Sequence, residues 1–139
     1  MAIVGPFTNG YVSVNWANLS DHVSEVTLDI TLADVPVTAM GAGGVQRMMG
    51  LEDSKFEITF WQDEATASSV GAVLWACRTA GTAVPVKIAE SGASFGTANP
   101  TWSGNCILTD YPPISGKVGD ALSTKATFVV SGTVTKGTA

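Results

Sequence analysis

Apolar and polar positions alternate along much of this chain with a period of two. The longest clean run is Glu25-Val26-Thr27-Leu28-Asp29-Ile30-Thr31-Leu32. Its four aliphatic side chains fall on one face, and its two acids and two threonines fall on the other. That pattern predicts a half-buried antiparallel strand. Pro36 predicts where it stops, because proline donates no ladder hydrogen bond. Lys55 to Phe60 repeats the alternation, with Phe56, Ile58 and Phe60 sharing a face. Shorter strands are expected at Tyr11–Trp16, with Val12 and Val14 opposite Ser13 and Asn15, and at Val84–Ala89, Trp102–Thr109 and Ser123–Val130. Between Glu64 and Ala80 the spacing becomes helical, carried by Val70, Val73, Leu74 and Cys77. Asp63 is placed to cap that helix and Gly81 to end it. Gly71 weakens it. The fold class expected is mainly β, a β-sandwich or small barrel of about six or seven strands with one packed α-helix.

Three stretches do not alternate. Residues 1–10 hold Gly5, Pro6, Asn9 and Gly10 and are expected to form an N-terminal arm. Residues 39–50 set Gly41, Gly43, Gly44 and Gly50 among Met40, Val45, Met48 and Met49. They are too glycine-rich for a helix and too apolar for an ordinary solvated loop. Residues 131–139 read as a C-terminal arm that could add a short strand. No internal repeat or linker divides the 139 residues, so one domain is expected.

Composition narrows the function. Charged residues make up 14% of the chain, against about 25% in a typical globular protein. A surface of Ser, Thr, Gly and Ala suits contact between copies, since few charges must be desolvated there. The net charge is −5, and the seven Lys and Arg residues are scattered with no two adjacent. No basic patch exists to collect phosphates, which argues against tight nucleic-acid binding. Cys77 and Cys106 each sit in an apolar context and read as buried thiols, not a disulfide framework. Neither a secretory leader nor a membrane-spanning stretch is evident, so synthesis in the cytosol is expected.

Candidate chemistry is thin. Gly92-Ala93-Ser94-Phe95-Gly96 matches the spacing of a nucleophile elbow. That motif needs a strand-turn-helix corner, and here Thr97-Ala98-Asn99-Pro100 follows. The single histidine, His22, precedes the serine, which is the wrong order for that fold. His22 beside Asp21 and near Glu25 lacks the further imidazoles or thiolates of a metal site. Glu52-Asp53 and Asp63-Glu64 read as a turn and a helix cap, not a glycosidase pair. The Gly41-Ala42-Gly43-Gly44 run has neither a following lysine nor the third glycine of a nucleotide fingerprint. Asn18-Leu19-Ser20 has the form of a glycosylation site, which carries no meaning without secretion. No enzyme activity, metal or cofactor is expected.

Four stretches carry a family likeness in their shared order: Leu19 to Val26, Thr38 to Glu64, Gly71 to Ala76, and Thr97 to Val134 with its "LTDYPPISGKVGD" segment. Together they resemble the tail-tube proteins of siphophages, especially phages of actinobacteria. The two cysteines and the methionine-rich loop depart from that pattern. The resemblance implies a virion structural protein made in the host bacterial cytoplasm. It implies subunits that assemble as hexameric rings stacked into a tube, with tape-measure, tail-terminator and tip proteins as partners. DNA would pass through the lumen without tight binding, and no membrane is involved.

Three features agree with this. The strands carry few of the lysines that protect sheet edges from pairing. Met40, Gly41, Gly43, Gly44, Val45, Met48, Met49 and Leu51 make a deformable apolar segment, a candidate contact between subunits or rings. The same methionines could instead pack under their own barrel. Glu25, Asp29 and Glu57 are candidates to line an acidic lumen that repels DNA; an ordinary solvated face is the alternative. The competing functions are a capsid decoration protein or other virion β-protein, and a carbohydrate- or ligand-binding β-sandwich. The last would need Trp16, Trp61, Trp75 and Trp102 to form a platform.

Overall fold

A computed structural model describes residues 10–41, 43–62, 69–92 and 94–138. The strands are β1 (Tyr11–Val14), β2 (Ala17–Asn18), β3 (Val23–Pro36), β4 (Arg47–Trp61), β5 (Val84–Ala89), β6 (Thr101–Asp110), β7 (Ser123–Val130) and β8 (Thr135–Gly137). Among the described residues one α-helix, α1 (Val70–Ala80), lies between β4 and β5, and a 3-10 turn at Ser20–His22 precedes β3. The fold is mainly β with one helix, as the alternation predicts.

All pairings among these strands are antiparallel. They form one sheet in the order β2-β1-β5-β6-β7-β4-β3, with β8 paired to β6 off that path. The sheet does not close into a barrel. β6 is its corner. Its residues Thr101–Cys106 pair with β5, and Cys106–Asp110 pair with β7. Cys106 is the residue where the two pairings overlap, opposite Val84 of β5 and Val130 of β7, while Thr101–Ser103 take β8 on their second side. The β5 half and the β7 half therefore turn toward each other. Side chains from both meet in one core: Val12 and Val14, Phe56, Ile58 and Phe60, Val86, and Phe128 are all essentially inaccessible. Burying three phenylalanines contributes several kcal/mol, at about 25 cal/mol per Å² of apolar surface.

α1 turns Val70, Val73, Leu74 and Cys77 onto this core, the face its spacing predicts. It ends at Gly81, whose φ of 68° lies in the left-handed region that favours glycine. Ser69 stands at the N-cap with extended backbone and makes no capping bond to the helix. The expected cap Asp63 and the stretch 64–68 fall outside the described residues.

Three local expectations need correction. The strand expected at Tyr11–Trp16 stops at Val14, because Asn15 and Trp16 form a two-residue turn into β2. Residues 47–50, expected in a loop, belong to β4. Cross-strand pairing with β3 organises them: Pro36 is opposite Arg47 and Val35 opposite Met48. Among the described residues the strands number eight: β8 is the short strand the C-terminal segment could add, and β2, of two residues, carries too little alternation to be seen in sequence.

Candidate assembly surfaces

β3 and β4 are much longer than the sheet they belong to. β4 pairs with β7 only from Lys55 to Trp61. From Arg47 to Ser54 it pairs with β3 alone. The two strands thus project as a ribbon roughly 25 Å long, at about 3.3 Å per residue. A lone two-stranded ribbon is marginally stable in water. Local bonds hold this one: Val37 donates to the Gln46 carbonyl at 2.8 Å, Gln46 N–H donates to Thr38 Oγ1 at 2.9 Å, and Arg47 pairs with Asp34.

The ribbon carries the predicted contact residues, and they are exposed. Met40 is fully accessible, Leu51 is 87% exposed and Met49 is 71% exposed; Val45 and Met48 are exposed too. They do not tuck under the domain. Gly41, Gly43 and Gly44 occupy the tip, where nothing lies within 4 Å of a Cβ position. Gly41 has a φ of 85° in the turn. Between Leu32/Glu52 and Asp34/Met49, β4 advances three residues against two of β3. This bulge flips the alternation. Beyond it, Val35 and Met48 occupy one face while Met49 sits on the other, so the ribbon is apolar on both sides.

The edge of β3 is a second surface. Among the described residues this 14-residue strand pairs only with β4. It includes Glu25, Asp29 and Asp34 but no lysine or arginine. A long edge without basic residues is open to pairing with another chain.

The third surface is the polar face of the β3-β4-β7 half. Register places Glu25 beside Thr59 and Lys125, Thr27 beside Glu57 and Thr127, and Asp29 beside Lys55 and Val129. The three acids predicted for a lumen do share this face. Two lysines that sequence reasoning left out join them. Lys55 lies 3.2 Å and Lys125 3.6 Å from the Glu57 carboxylate. Hydrogen bonding from Lys55, with both lysine charges nearby, holds the Glu57 pKa below its usual value. The face is acidic but partly compensated. Only the register could reveal this, because Lys125 is far from Glu57 in sequence.

The chemical candidates do not assemble. His22 contacts Asp21 at 2.9 Å on the 3-10 turn. Ser94 precedes a small turn closed by the Gly96–Asn99 bridge, with no helix after it. Among the described residues no three His, Cys, Asp or Glu side chains are placed to hold a metal ion. The four tryptophans sit at the β1–β2 turn, the end of β4, α1 and β6, so no common platform arises.

No family model matches the chain, and no curated protein matches its sequence. Solved structures do match its fold. A chain from the tail of an empty gene transfer agent particle, refined with C6 symmetry, superposes with a TM-score of 0.70 at 13% identity over 99% of this chain and 100% of that chain. A chain from the sheath/tube terminator of an extracellular contractile injection system, in its extended state, gives 0.73 at 16% identity over 97% of each. One from the tube-terminating cap of an anti-feeding prophage gives 0.69 at 15% identity over 100% and 95%. At such identities the likeness establishes the shared fold, end to end.

Proposed function

We propose that this protein is a structural subunit of a phage-type tail tube. The observation that carries the reading is the 14-residue β3 edge, paired only with β4 among the described residues, together with the projecting apolar ribbon. A free monomer gains nothing from exposing either, whereas a self-assembling subunit uses both. The whole-chain likeness to chains of tails and tubes supports this choice. In this reading the β3 edge pairs with the next subunit of a ring, a heterologous contact that closes by rotation. The ribbon, with Met40, Val45, Met48, Met49 and Leu51 at its end, reaches a neighbouring ring. Six subunits per ring follows the C6 symmetry of the gene transfer agent tail. The face bearing Glu25, Asp29 and Glu57 lines the lumen, and its residual negative charge keeps passing DNA from sticking. Tape-measure and tail-terminator proteins are the partners, and the site of action is the virion tail.

The likeness to a terminator and a cap favours a second reading, in which the subunit forms a single ring that ends a tube. Electron microscopy of concentrated protein, with light scattering alongside, separates the two. Extended hollow tubes support the tube subunit; discrete rings that never lengthen support the terminator. A protein that stays monomeric even when co-produced with neighbouring tail proteins would refute both.

A further inference from the structure

The turn joining β1 to β2 holds a tryptophan where glycine is the favoured residue. Asn15 and Trp16 both have positive φ, 48° and 68°, the pattern of a tight hairpin whose second position suits glycine. The Asn15 N–H donates to the Pro85 carbonyl at 2.7 Å and fastens the turn to β5. The exposed indole adds little to the core in return. Backbone strain held at a side chain the core does not use points to a role outside the core.

Trp16 borders a pocket of about 500 Å³. It lies on the face of β1, β5, β6 and β8 turned away from the core, since Val12 and Val14 point inward and Ser13 between them points outward. The cross-strand partners Ser13, Lys87, Ser103 and Thr135 run in one row over those four strands. Three inter-strand gaps of about 4.8 Å make the row roughly 14 Å long. Ser13 is buried, Lys87 and Ser103 are half-buried, and Thr135 is exposed. Asn105, two residues on from Ser103 and opposite Pro85, adds an amide to the lining. Among the described residues that line the pocket, only Lys87 is charged.

We propose that this pocket binds a short oligosaccharide, with one sugar ring stacked on the Trp16 indole and its hydroxyls hydrogen-bonded by Lys87, Ser103, Asn105 and Thr135. A sugar ring is amphipathic. Its C–H face suits the apolar indole, and its rim of hydroxyls suits neutral groups that both donate and accept. A phosphorylated ligand fits less well, because a single lysine without arginine is a weak phosphate cradle. An apolar ligand fits less well too, because it would leave the hydroxyl and amide groups of the row desolvated and unpaired. One indole suffices, so the scattering of the other tryptophans is no obstacle. The inference rests on the turn, the pocket and its lining, not on the tail-tube reading.

Saturation-transfer NMR of the full chain tests this, with cellohexaose, maltohexaose, laminarihexaose and a chitin tetrasaccharide as neutral probes. The method reads free subunits and assemblies alike. At least one probe should receive saturation on its ring C–H protons. Trp16→Gly removes the indole while relieving the turn, so the variant stays folded, and it should bind about tenfold more weakly. Trp16→Tyr should keep most of the binding, whereas Ser103→Ala and Asn105→Ala should each weaken it severalfold. Absence of transfer to every probe overturns the proposal, as does binding that survives Trp16→Gly. Equal transfer to all probes that ignores Ser103→Ala and Asn105→Ala is the stickiness of an exposed indole and overturns it too. If no probe binds and Trp16→Gly instead abolishes self-association, the indole is a contact for a second copy and the saccharide site is refuted.

Discussion

Trp16 is held where bulky residues seldom sit. It follows Asn15 in the two-residue β1–β2 turn, and both have positive φ, 48° and 68°. Such turns favour asparagine then glycine. Trp16 is also 80% exposed, so its indole contributes little to the core. Trp16→Gly should therefore stabilise the monomer by about 1 kcal/mol, by relieving the left-handed strain; a lowered denaturation midpoint would show that the indole packs usefully. The two thiols give a second residue-level prediction. Burial raises the Cys77 pKa to about 11 and that of Cys106 to about 12. Both groups stay protonated in the folded state after the unfolded chain ionises near pH 9. Their contribution to stability is thus intact below pH 9 and falls as pH rises toward 11. The loss of stability between pH 9 and 11 should be shallower in Cys77→Ala/Cys106→Ala than in the parent. At pH 8 a thiol reagent should label neither cysteine until denaturant is added.

At the scale of the element, the tail-tube reading gives the β3–β4 ribbon two roles, folding at its base and assembly at its outer half. Its base is core: Phe56 is fully buried, and Phe56→Ala should cost about 3–5 kcal/mol, measured by chemical denaturation. Its outer half touches little else. There Gly50 admits no side chain, since a Cβ would lie 2.9 Å from the Ala33 Cβ and 3.2 Å from the Ala33 carbonyl oxygen. Gly50→Val should force the strands apart near the bulge. Tube or ring formation should drop at least tenfold while the denaturation midpoint of the domain shifts by less than about 1 kcal/mol. Unimpaired assembly of this variant would remove the ribbon from the contact. The extended half of β4 was hidden in sequence because the bulge breaks the period of two at Gly50 and Leu51. Its glycine and methionine content then looked like a loop.

For the whole molecule, charge on one face is the testable property. Glu25 and Asp29 share that face with Glu57, whose charge Lys55 and Lys125 already offset. Glu25→Lys/Asp29→Lys should turn the face positive without touching the core. In the tail-tube reading, assembly should persist while DNA passage slows and becomes strongly salt-dependent. Particles that deliver DNA at the parent rate would move this face away from the lumen.

The period-two runs at Glu25–Leu32, Lys55–Phe60 and Ser123–Val130, and the helical spacing of Val70 to Cys77, determined the mainly β class, the single helix and most of the core. Hydrophobic burial acts on neighbours along the chain, so its imprint is local and readable. Pro36 and Gly81 marked ends for the same reason, since backbone geometry is a property of the residue itself. Tertiary structure alone decided that β6 turns the corner at Cys106, that the sheet stays open beside β3, and that Lys125 meets Glu57. Each depends on which distant strands pair and in what register. No single stretch of sequence encodes that choice, because it is fixed by the fit of all the strands around one core.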